Sequence, residues 1–141
     1  MELYTCSWEG YELSTDFSKL QFDRIHAYLT QSYWSPGISR ENVRRAARHS
    51  LPFGLYRENV QVGYTRVISD FTRFAYMADV YVDESEQGNG VGKWLIKCIL
   101  SHPELEAVGR WMLLTNDAHG LYQKFGFREL LKPETVMERV L

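Results

Sequence analysis

Cysteine and proline are scarce: there are 2 and 4 of them in 141 residues. Cys6 and Cys98 form no CxxC and join no Cys/His cluster, which excludes a disulfide framework and argues against structural zinc. His26, His49 and His102 share no metal-ligand spacing with one another or with carboxylates, so no metal is expected. No apolar stretch approaches the ~20 residues that span a bilayer. Met1-Glu2-Leu3-Tyr4 also lacks the basic start and apolar run of a secretory signal, so a cytoplasmic protein with no membrane partner is expected. Charge of one sign is missing too. Sixteen Lys and Arg against 18 Asp and Glu leave −2, so nucleic acid is not an expected partner. Repeats, linkers and low-complexity segments are absent, and the length suits a single domain over residues 1–141. A chain of this size buries roughly 68–70% of its unfolded surface, enough to need no staple.

Aromatic residues, by contrast, are plentiful: 7 Phe, 4 Trp and 9 Tyr. They hint at a site with aromatic walls, although the same side chains are the largest core formers.

Element signals alternate along the chain. Residues 3–8 read as a strand, and Asp16 or Ser18 is placed to open a helix carrying Phe22, Ile25, Tyr28 and Leu29 at helical spacing. Ser35-Pro36-Gly37 breaks it, and Ser39 caps a second helix with Val43, Ala46 and Ala47 on one face. Residues 53–57 and 60–69 are strand-like around the two-residue turn Glu58-Asn59. After a turn at 69–72, residues 74–82 carry the longest strand signal. A helical period runs from Gly90 through Val91, Trp94, Leu95, Cys98 and Ile99 until His102-Pro103 stops it. Residues 111–115 are a further strand and 118–125 a short helix closed by Gly126, with strands expected over 127–131 and 135–140. The order predicts a mixed α/β fold, one central and mostly antiparallel mixed sheet flanked by helices.

The informative feature is Gln87-Gly88-Asn89-Gly90-Val91-Gly92-Lys93 between the long strand and a helix. Glycines let the backbone approach a ligand, and a helix start leaves N–H groups without partners beside the positive end of the dipole, which together make an anion cradle. A P-loop would need glycine at Gln87 and Ser or Thr at Trp94, and both fail. The dinucleotide pattern GxGxxG begun at Gly88 would need glycine at Lys93, which fails as well.

What remains is Gln/Arg-x-x-Gly-x-Gly/Ala, satisfied by Gln87, Gly90 and Gly92. This resembles the pyrophosphate-binding turn of the GNAT superfamily of N-acetyltransferases, which bind acetyl-coenzyme A there. Leu121-Tyr122 followed by Gly126-Phe127 resembles the superfamily's Leu-Tyr-x-x-x-Gly-Phe helix, and residues 78–82 precede the turn as the family's strand does. The resemblance extends over nearly the whole chain. It implies an acetyl-CoA-dependent N-acetyltransferase acting on a small amine in a ternary complex. The competing readings are a protein or peptide amine as acceptor, or a module that binds acetyl-CoA and regulates without turnover. Homodimers are common in families of this type, though no heptad or exposed apolar stripe signals one here.

The resemblance also implies roles. Gln87, Gly88, Asn89, Gly90, Val91, Gly92 and Lys93 would hold the pyrophosphate. The backbone of Val80, Tyr81 and Val82 would pair with the pantetheine arm and offer an N–H to the acetyl oxygen. Tyr122 would act as general acid toward the coenzyme sulfur. An alkylammonium of pKa about 10.4 is a free amine in about one molecule per thousand near neutral pH, so its deprotonation costs roughly 4 kcal/mol unless assisted. The family's strand glutamate falls here on Tyr76, a poor base. Asp79 is the nearest ionisable residue, either a base of raised pKa or a partner for neighbouring backbone groups. The family's pantetheine-contacting asparagine falls on Thr115, with Asn116 beside it. Asp117 and His119 invite a relay reading, though His119 suits a capping or core place better. For the acceptor, Trp34 could wall an amine, Arg66 or Arg73 could clamp a carboxylate, and Tyr76 borders the same region.

Overall fold

The computed structural model describes Met1–Leu141. Its backbone begins with a hairpin, β1 (Thr5–Trp8) and β2 (Tyr11–Ser14). The turn Glu9-Gly10 has both central residues at positive φ, the two-residue geometry whose twist matches the flanking strands. Asp16 caps a single 3₁₀ turn by accepting from Ser18 N, rather than opening the helix itself. Helix α1 (Phe22–Leu29) starts later, after Gln21, which is tied by reciprocal bonds to the buried Gln61. Ser39 caps α2 (Arg40–Arg48) as expected, its hydroxyl accepting from Asn42 N at 3.1 Å.

Strands β3 (Leu51–Arg57), β4 (Val60–Ser69) and β5 (Ala75–Val82) form the antiparallel centre of the sheet, in the order β1-β2-β3-β4-β5-β6. Asp70 organises the β4–β5 turn: its Oδ1 accepts from the backbone N–H groups of Thr72, Arg73 and Phe74, which holds its carboxyl below the usual range. Helix α3 (Val91–Leu100) crosses to β6 (Trp111–Met112), the one parallel partner, and α4 (His119–Gln123) follows.

Helices cover both faces, which is why β3 and much of β4 read as continuous buried runs. On one side Ile25, Leu29, Val43 and Ala47 of α1 and α2 pack on Tyr64 and Tyr81. On the other, Leu95, Ile96 and Ile99 of α3 and Tyr122 of α4 pack on Leu13, Phe53, Leu55, Val67 and Met77.

Two expected strands do not form. Residues 127–131 and 135–140 make no ladder bonds, and Pro133–Thr135 is a 3₁₀ turn. The reason is the missing edge: β6 runs beside β5 only at Trp111 and Met112, so later residues have no straight strand to join. Val136, Met137 and Val140 consequently lie exposed.

His102, which ends α3, is 2% exposed. Its Nδ1 accepts from Glu104 N, its ring packs on Tyr4 and Phe53, and its Nε2 has no partner. Burial lowers its pKa from the ordinary 6.5. The unfolded chain therefore binds a proton at a pH where the folded one does not, and this loss of stability sets in as pH falls below about 6.5. Urea midpoints should drop between pH 7.5 and 5.5, and His102→Leu should flatten that slope. A slope unchanged in the variant would remove His102 from the account.

Candidate active site

The site begins with an irregularity in β5. Tyr64 pairs with Tyr81 and Arg66 with Ala78, so Asp79 and Val80 together oppose the single residue Thr65, a β-bulge. Asp79 adopts φ +57, and Thr65 Oγ1 donates to Ala78 O at 2.9 Å across the gap. A left-handed non-glycine residue costs on the order of 1 kcal/mol or more. The side chain shows what offsets it: Oδ2 accepts from Arg66 Nε at 2.6 Å and Oδ1 from Trp34 Nε1 at 2.9 Å. This carboxylate is 8% exposed, and both of its oxygens are committed to donors of the protein. Asp79 thus holds Trp34 and Arg66 at the wall, and the bulge turns the end of β5.

Past the bulge the sheet opens. Parallel pairing stops at Tyr76 and Met112, leaving residues 77–82 and 113–117 as the sides of a wedge. That wedge is a cavity of about 1480 Å³, larger than a drug-sized pocket. Val80, Tyr81, Val82, Gln87 and Gly92 line it from one side and Thr115, Asn116 and Tyr122 from the other. Trp34, Arg66, Tyr76 and Asp79 close its inner end.

At the mouth lies the glycine turn. Gly88 and Gly90 sit at φ +87 and +85, where other residues are strained. Asn89 is bound within the turn, donating to Tyr11 Oη at 2.7 Å and accepting from Val91 N at 3.2 Å. Gln87 donates its amide to Val82 O, which fixes the turn against the end of β5. The backbone N–H groups of Gly88, Asn89, Gly90, Gly92 and Lys93 donate to no atom of the protein, as expected for the first residues of a helix. A Cβ built on Gly92 meets nothing within 4 Å.

Tyr122 is nearly buried, its ring edge-on to Phe127 at 5.9 Å, and its hydroxyl makes no hydrogen bond within the protein. Burial, with smaller contributions from Tyr33 and Asp117, pushes its pKa up to about 12. Thr115 Oγ1 accepts from Ala118 N in the loop before α4, while Asn116 N donates to Tyr33 Oη at 3.1 Å. That last bond ties the loop between α1 and α2 to the loop between β6 and α4, across the cavity.

Several features correct or extend the sequence reading. Arg73 stands in the β4–β5 turn outside the cavity, so it does not join the acceptor site. Arg66 lines the cavity, but its Nε is bound to Asp79 at 2.6 Å and its Nη1 to Ser50 Oγ, so its charge is already paired with a carboxylate of the protein. Sequence reasoning passed over Tyr28, whose ring stacks on Tyr81 at 3.9 Å and continues toward Trp34 and Tyr33. Its helical spacing with Ile25 and Leu29 gave it a core role. Only the three-dimensional placement of Tyr81 brings it to the wall.

The site thus joins a splayed parallel strand pair, a bulge at the split and a helix start whose N–H groups have no partner. The GNAT acetyltransferase domain model matches residues 48–129. A Gibberella zeae protein bearing an acetyltransferase name is 33% identical over 138 residues, covering 81% of this chain and 76% of its own. The crystal structure of a Xanthomonas campestris protein of the GNAT family superposes with a TM-score of 0.91 at 40% identity, covering 96% of each chain. A GNAT family acetyltransferase of Elizabethkingia anophelis, solved with acetyl-CoA bound, shares the fold at a TM-score of 0.65 and 16% identity, over 95% of this chain and 90% of that one. The chain belongs to the GNAT acetyltransferase family.

Proposed function

We propose that the protein moves an acetyl group from acetyl-CoA to the primary amine of a small molecule, with both substrates held in the wedge between β5 and β6. The observation that carries this reading is one cavity bordered by three parts: Gln87 and Gly92 of the glycine turn, the unpaired edge of β5 and the side chain of Tyr122. Acetyl-CoA supplies an activated thioester. Residues 88–93 would hold its pyrophosphate, and Val80, Tyr81 and Val82 its pantetheine arm as an added strand.

The amine enters as an ammonium and must lose a proton before its nitrogen can attack the carbonyl carbon. Asp79 serves as a positioning residue, and the proton leaves through water in the open cavity. As the carbon–nitrogen bond forms and the carbon–sulfur bond breaks, the nitrogen sheds a second proton and Tyr122 donates toward the sulfur. The products are an amide, a thiol and one released proton. The bond between Tyr33 and Asn116 bridges the two loops at the cavity, which favours a small acceptor over a lysine on a folded protein.

Calorimetric titration with acetyl-CoA, followed by thiol release across an amine panel, tests the proposal. One-to-one binding with amine-dependent release is the expected result. Binding without release from any amine would favour the regulatory module instead. No binding at millimolar coenzyme would overturn both.

A further inference from the structure

The charged residues that line the cavity are few: Arg24, Arg66, Asp79, Asp83 and Asp117. Four of them cancel in pairs, Arg66 with Asp79 at 2.6 Å and Arg24 with Asp83 at 3.2 Å. No lysine or histidine lines the space. Asp117 alone has no cationic partner and no hydrogen bond within the protein. It stands in the loop beside Asn116, whose N–H is bound to Tyr33, and burial, with smaller additions from charges that include Asp117, raises the pKa of both Tyr28 and Tyr122. A negative charge therefore lines the same cavity as Tyr122 and the aromatic wall.

That wall is continuous. Tyr33 meets Trp34 at 5.0 Å and 79°, Trp34 meets Tyr28 at 6.4 Å, and Tyr28 stacks on Tyr81. Tyr33 and Trp34 both keep exposed surface. Ring faces attract ammonium groups and give nothing to carboxylates. The cavity thus offers a cation one unpaired carboxylate and several ring faces, and offers a carboxylate no free cation beyond the coenzyme cradle.

Resting on the acetyl-transfer reading above, we infer that Asp117 and the Tyr28–Tyr33–Trp34 wall select acceptors that carry an amine cation and no carboxylate: decarboxylated amines rather than amino acids. Asp117 acts as the specificity residue, drawing the ammonium to the Tyr122 end of the cavity. Arg66 is paired with Asp79, so Asp117 is the charge left to act on the acceptor.

Matched pairs test this: tyramine against tyrosine, and cadaverine against lysine, each measured for binding to the CoA-loaded protein and for thiol release with acetyl-CoA. The decarboxylated member should bind at least tenfold tighter in both pairs. Asp117→Asn should weaken its binding by about tenfold and leave the amino acid unchanged, so that the ratio collapses, while acetyl-CoA affinity stays the same as proof that the variant is folded. Equal or tighter binding of the amino acids, a ratio that survives Asp117→Asn, or no binding of any of the four would overturn the inference. A preserved binding ratio without thiol release would leave the inference standing and would sink the transfer reading alone.

Discussion

Replacing Gly92 with aspartate should abolish acetyl-CoA binding while leaving the fold at least as stable as before. The two effects separate because of where a side chain at this position would go. A Cβ on Gly92 meets no protein atom within 4 Å, and the residue lines the cavity at the first turn of α3. An acidic residue in the first turn of a helix gains about 0.3–1 kcal/mol from the dipole, and aspartate is a slightly better helix former than glycine. Against the coenzyme the same carboxylate stands among the N–H groups that would take the pyrophosphate. Two unit charges at about 4 Å repel by roughly 4 kcal/mol at an effective dielectric near 20. A hundredfold loss of affinity needs only about 2.7 kcal/mol. Titration calorimetry should therefore show at least that loss, with a melting temperature equal to or above the parent's. Gly92→Ala adds one methyl group without charge. It should raise the melting temperature slightly and keep most of the affinity. Undiminished binding in the aspartate variant would place the anion site elsewhere.

The glycine turn was legible because its conformation is set locally. Gly88, Asn89 and Gly90 must take positive φ or cap a helix whatever the rest of the chain does, and those demands are written in residue type. Helix α3 and the Tyr122 segment were readable for the same reason, each carrying its own period and stop. What sequence reasoning lost were features created by pairing. The ion pair of Arg66 and Asp79 joins residues on two strands across a bulge, and no spacing rule anticipates a register shifted by one residue. Asp79 was open to two readings, a base or a partner for neighbouring backbone groups, because a carboxylate in an apolar strand suits either. Two donors from elsewhere in the fold changed its role. Strand β2 escaped notice because four residues, Tyr-Glu-Leu-Ser, carry too little alternation to stand out. Residues 135–140 erred in the opposite direction: Val136, Met137 and Val140 have strand propensity, but a strand exists only where an edge accepts it.

Tyr122→Phe should lower kcat by about a hundredfold and leave the affinity for acetyl-CoA nearly unchanged. Stability should hold too, since the hydroxyl makes no hydrogen bond in the protein and the ring keeps its contact with Phe127. The pH dependence refines the role. With its pKa raised to about 12, Tyr122 stays protonated through the whole working range. An alkylthiol such as cysteine's titrates near 8.5, so complete transfer from the phenol to a free thiolate would be uphill by about 5 kcal/mol. The hydroxyl is therefore effective only while the carbon–sulfur bond is breaking, and its oxygen must recover a proton as the acetylated nitrogen sheds one. Two consequences follow for the pH profile of kcat/KM. The rate should climb with pH as more acceptor becomes free amine, and Tyr122 should impose no falling limb below about pH 11. Tyr122→Phe should shift that curve downward without moving its rise, because the rise belongs to the amine. A falling limb near pH 8–9 in the parent that disappears in the variant would mean a tyrosine far more acidic than its burial allows. Unchanged turnover in the variant would remove Tyr122 from the chemistry and leave it a packing residue beside Phe127.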